Sequence, residues 1–229
     1  MAAPEPSLLP STFLDADHPS VQSWARNHAG AGDDRARAVR LYYAVRDGFR
    51  YDPYRIDLSP DGLKASRVLA DGFGWCVPKA VLLAAACRAS GIAARVGLAD
   101  VRNHLSTERL RQTMGTDIFY CHGYTAIALD GRWVKATPAF NVELCHKLGL
   151  HTLEFDGMED SIYHPFDTAG RRHMEYVALR GEFDELPRQM LLEVFAQHYP
   201  GMGHLSDASW EDDLTGDRLK ASADTPRSA

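Results

Sequence analysis

The chain has 229 residues, 45% of them hydrophobic and 24% charged, which supplies the apolar material for one domain of generous size with extensions. A formal charge of -6, with no dense Lys/Arg cluster, argues against nucleic acid as a partner. No stretch reaches the roughly 18 uninterrupted apolar residues of a membrane span, and "MAAPEPSLLPSTFLDADHPS" lacks the pattern of a secretion signal, so the expectation is a cytoplasmic protein that needs no membrane.

In chain order, residues 1–19 carry Pro4, Pro6, Pro10 and Pro19 and read as an extended arm draped on the core. Residues 20–204 read as a single domain, and 205–229 as a polar, mobile tail with little to bury. Within the domain, "SVQSWARNHAG" predicts a short helix closed by Gly30. A second helix follows, with Ala38, Leu41, Tyr42, Val45 and Phe49 at helical spacing behind an acidic first turn. The turn-rich segment that follows includes a short helix over 63–70 and delivers the chain to "DGFGWCVPKAVLLAAACRASG". There Pro78 marks a helix's first turn and Gly91 its end, so Cys76 stands at the N-terminal edge. Ala80, Leu83, Ala84 and Cys87 continue one apolar stripe from it. Next come a strand at "IAARVGLADV" and a polar helical insertion at "STERLRQTMG". Two apolar runs then flank Asp130-Gly131, the dipeptide of a two-residue hairpin turn. The segment from Asn141 to Pro187 reads as loops with short apolar patches, and "RQMLLEVFAQHYPGM" as a terminal helix.

Cysteines 76, 87, 121 and 145 lack the spacing of a disulfide framework. On position alone Cys76 is equally a small apolar filler or a nucleophile whose pKa the helix end lowers. The partner decides. His122, on the first strand of the hairpin, is the candidate base. Cys121-His122 and Cys145-His146 match no common zinc module, and no cofactor motif is present in the sequence, so neither metal nor cofactor is expected. His151, His164 and His173 lie in a segment dense in His, Asp and aromatic residues that would cover a cleft, although buried, hydrogen-bonded histidines are the more ordinary reading.

Three stretches, "VRDGFRYDP", "VLADGFGWCVPKAVLLAAACRASGIAARVGLADV" and "HGYTAIALDGRWVKATPAFN", together resemble the transglutaminase-like superfamily over roughly residues 38–141. The resemblance implies an α+β, papain-like (cysteine-protease-like) core in which a helical N-terminal half packs on an antiparallel sheet. It also implies cysteine-dependent acyl transfer or hydrolysis on a peptide or protein amide, with Cys76 as nucleophile and His122 as general base and acid. The family's Asp that orients the histidine aligns with Thr137 in "WVKATPAF". A hydroxyl can hold the imidazole's orientation but cannot balance its charge. Asn141, Asp156 and Asp160 are the other candidates for that support. A binding module that kept the cleft after losing the carboxylate is the competing reading.

Overall fold

The computed structural model describes residues 5–104, 106–201 and 209–214. Four helices make up the N-terminal half: α1 (Pro19–Ala29), α2 (Asp34–Gly48), α3 (Ala65–Asp71) and α4 (Cys76–Ala89). Their starts and stops are chemical. Pro19 sits in the first turn of α1, and the Asp33 carboxylate accepts from the Ala36 N–H at 2.8 Å to cap α2. Gly72, at φ 73°, closes α3 in the left-handed conformation that glycine tolerates. Between them β1 (Arg50–Tyr51) and β2 (Phe73–Gly74) form a short parallel pair that the sequence patterning does not announce.

The second half is an antiparallel sheet in the order β5-β4-β3-β6, built from β3 (Ala94–Asn103), β4 (Ile118–Leu129), β5 (Arg132–Ala136) and β6 (Met174–Phe183). The β4–β5 hairpin turns through Asp130 at φ 50° and Gly131 at φ 79°, as an Asp-Gly turn requires. The polar insertion is α5 (Glu108–Met114), and α7 (Arg188–His198) is the terminal helix. Two elements replace what the sequence reads as loop: α6 (Val142–Leu148) and the edge strand β6. Of the expected mobile tail, only 209–214 lies among the described residues. There the expectation fails, because Trp210 and Leu214 are buried and the Trp210 ring packs 5.2 Å from that of Tyr54.

Helix α4 is the hub. Every residue from Cys76 to Arg88 is buried, so the single apolar stripe expected from spacing understates it. Sheet strands cover one side, and α1, α2 and α3 cover others. Two cationic side chains inside this shell end on carbonyl oxygens. Lys79 Nζ donates to Arg46, Phe49 and Ala139 at 2.9, 2.7 and 2.8 Å. Arg88 donates to Ala94, Leu9 and Asp184 at 2.9, 2.6 and 2.7 Å, which fastens the N-terminal arm to the body.

The sheet meets the start of α4 at Gly123. A Cβ there would lie 2.7 Å from Val77 Cα and 3.0 Å from the Cys76 carbonyl oxygen, both backbone atoms that cannot swing aside. Gly123→Ala is therefore expected to lower stability by about 1–3 kcal/mol, the usual cost of overpacking, and to slow modification of Cys76. Thermal unfolding and thiol mapping on the same sample check both.

Candidate active site

Cys76 is the first residue of α4, and Trp75, at the N-cap, supplies no side-chain cap. The backbone N–H groups of Gly123 and Val77 instead face the sulfur and favour its anion. Burial opposes them and wins, pushing the thiol from an ordinary 9.0 up to about 12. Burial thus works against the pre-activation expected from helix position.

His122 immediately precedes Gly123 on β4, so the residue that seats the strand on α4 is next to the imidazole. Cys76 and His122 line one narrow cleft of about 30 Å³, walled by Tyr51, Trp75, Phe119 and Phe195. A β-bulge aims the histidine. Asp100 on β3 faces two residues of β4, Tyr120 and Cys121, and Cys121 adopts φ 58° with its N–H donating to the Asp100 carboxylate at 3.0 Å. Sequence reasoning missed this bulge. Its signal was an acidic residue inside the otherwise apolar run "VGLADV". A larger cavity of about 290 Å³ lies elsewhere, between Arg50, Glu143 and Trp210, and is lined by neither Cys76 nor His122.

Thr137 does not make the expected direct bond to the imidazole. Its backbone is fixed, the N–H donating to Ser161 at 2.9 Å and the carbonyl accepting from Tyr42 at 3.3 Å. Its Oγ1, however, is buried without a partner, as is His122 Nδ1. Both residues line a second small cavity. The other candidates are engaged away from it. Asn141 accepts from the Tyr51 N–H, Asp156 from the Met158 and Glu159 N–H groups, and Asp160 from the Lys135 N–H. His151, His164 and His173 line this second cavity rather than the cleft. Among the described residues no group of three or more His, Cys, Asp or Glu side chains is placed to hold a metal ion, and no helix is long and apolar enough to cross a membrane.

The profile of the transglutaminase-like superfamily matches residues 22–138, half of the sequence. The chain belongs to the transglutaminase-like superfamily. This transglutaminase-like chain is also similar in structure to a protein described as a putative cysteine protease from Cytophaga hutchinsonii. That likeness has 17% identity and a TM-score of 0.45, and covers 77% of this chain and 53% of that one. A putative protease from Parabacteroides distasonis shares 17% identity at a TM-score of 0.38, over 59% of this chain and 27% of that one. The chain thus spans about half and about a quarter of the lengths of these two proteins. No curated protein matches the sequence. The family assignment agrees with the α+β architecture, a helical half packed on an antiparallel sheet.

Burial also holds the two inward-facing imidazoles neutral. His122 is pulled down to about 4, chiefly by desolvation and then by the nearby His173, and His173 likewise to about 4. In an unfolded chain both would protonate near 6.5. The unfolded state therefore binds more protons between those values, and stability that is complete above about pH 6.5 is lost as pH falls towards 4, by roughly 3 kcal/mol per imidazole. Urea unfolding across this window is expected to show the decline, with a shallower slope in His173→Gln.

Proposed function

We propose that this protein performs cysteine-dependent acyl transfer or hydrolysis on a peptide amide. The observation that carries the reading is the seating of Gly123 against the first turn of α4, which sets Cys76 and His122 on one cleft. With a resting thiol and a neutral imidazole, attack is concerted with proton removal. His122 takes the thiol proton as sulfur bonds to the carbonyl carbon, and the oxyanion forms near the N–H groups at the start of α4. His122 then gives the proton to the leaving amine, and the C–N bond breaks to leave a thioester on Cys76. A water or a second amine, deprotonated by the same imidazole, displaces the thiol and completes hydrolysis or transamidation. Ile56, Leu110, Met114 and Phe119 make the cleft apolar, which suits an apolar or aromatic side chain beside the scissile carbonyl. A reducing compartment, the cytoplasm, would keep the four thiols free.

A peptidyl chloromethyl ketone carrying phenylalanine tests this reading. All four cysteines are buried, so exposure does not single one out. Peptide mapping is expected to find the label on Cys76 far ahead of Cys87, Cys121 and Cys145. Equal, slow labelling of all four would remove the case for a nucleophile and favour a binding module.

A further inference from the structure

We propose that His173 is the positioning residue for His122, holding its Nδ1–H through one bridging water shared with Thr137, so that an imidazole stands in for the carboxylate missing at position 137. This deepens the proposed function and rests on His122 being the base. The second small cavity is lined by His122, Thr137, Phe140, Cys145, His164 and His173. Four polar atoms of three of these residues are buried without a hydrogen-bond partner: His122 Nδ1, Thr137 Oγ1 and both ring nitrogens of His173. His122, Thr137 and His173 are 2%, 3% and 3% exposed, so solvent does not serve them.

Leaving a buried donor or acceptor unmatched costs about 1–3 kcal/mol, so unpartnered atoms on three residues that line one cavity mark a shared partner. The cavity holds about 20 Å³, above the roughly 10–15 Å³ that one water needs. A water has two protons and two lone pairs. It accepts the His122 Nδ1–H and donates to a ring nitrogen of His173 and to Thr137 Oγ1. That fixes His122 in the tautomer whose Nε2 is free to take the Cys76 proton. His173 is itself held in place. Its N–H donates to Pro165 and its carbonyl accepts from the His104 N–H, at 2.9 and 2.8 Å. Its ring stacks loosely on that of Phe140, with centroids 6.3 Å apart and planes 28° from parallel. The buried carboxylate of Asp167 lies near enough to favour a positive charge on the His173 ring, while His164 and His104 oppose it.

The experiment measures iodoacetamide alkylation of Cys76 at neutral pH, by peptide mapping, in the native protein and five variants: His122→Ala, His173→Leu, His173→Gln, Thr137→Asp and the Thr137→Asp/His173→Leu double. His173→Leu is expected to slow Cys76 about tenfold, within the coupling range of residues in one network. His173→Gln, which keeps a hydrogen-bonding group, recovers most of that rate. Once Thr137→Asp supplies a direct acceptor, adding His173→Leu changes the rate less than twofold. Nitrogen-15 shifts of His122 are expected to report the Nδ1–H tautomer in the native protein and a tautomer mixture in His173→Leu. If His122→Ala slows Cys76 but His173→Leu does not, the inference falls and the proposed function stands. If His122→Ala changes nothing, the proposed function itself falls. Equal slowing in His173→Leu and His173→Gln, with no rescue by Thr137→Asp, would show a purely structural histidine and overturn the inference; thermal melts identify any variant that fails to fold, and His173→Gln then decides.

Discussion

His122→Ala is expected to slow acylation of Cys76 by about 10²–10⁴-fold, the range of a lost general base, while the other three thiols react as before. The size follows from the resting states. Burial pushes the thiol up to about 12 and the imidazole down to about 4, which disfavours a preformed ion pair. The proton must move during attack, and among the described residues no other base lines the cleft: its remaining walls are aromatic or apolar, among them Tyr51, Trp75, Phe119 and Phe195. Labelling by the peptidyl chloromethyl ketone, quantified at each cysteine, gives the ratio directly. A loss smaller than about threefold would contradict a general base of ordinary efficiency.

Lys79→Met is expected to cost at least about 3 kcal/mol of stability, on the order of 1 kcal/mol for each carbonyl left without its donor. The methionine fills the space, so the cost is not a cavity. It arises because the Arg46, Phe49 and Ala139 carbonyls lose their partner inside the protein. Two of these belong to the end of α2 and its exit, the third to the loop after Thr137. The ammonium thus closes a helix end and ties it to the segment behind His122. Burial pulls Lys79 down to about 7, and the Asp47 carboxylate opposes that pull. Urea unfolding of the variant checks the figure, and a midpoint unchanged at constant slope would contradict it.

The helix start and the hairpin were legible because each is written in local chemistry: Pro78 in a first turn, Asp130-Gly131 between two apolar runs; the order of elements also put Cys76 and His122 on one cleft. Strand β6 was not legible, because an edge strand shows little alternation. Val177 and Leu179 stand exposed in it, 48% and 61%, where a core-facing pattern would have placed polar residues. Helix α6 is a single short element of seven residues with two buried side chains, too little for a periodic signal. Lys79 reads as a surface residue in any pattern, and only the convergence of three distant carbonyls explains it. The same holds for His173. Its reading as an ordinary hydrogen-bonded core histidine fails only when both ring nitrogens are found without partners. The burial that opposes thiolate formation was not legible for a different reason. The helix-end argument is local, while desolvation by the surrounding shell depends on the whole fold.

The pH dependence of Cys76 alkylation by iodoacetamide, in the native protein and in His122→Ala, tests the central claim most directly. With His122 as the base, the native rate rises once the imidazole loses its proton, near 4, and then stays level until the thiol itself ionises, near 12. His122→Ala is expected to lose that plateau and climb in proportion to hydroxide across the neutral range. Superimposable profiles for the two proteins would contradict the account.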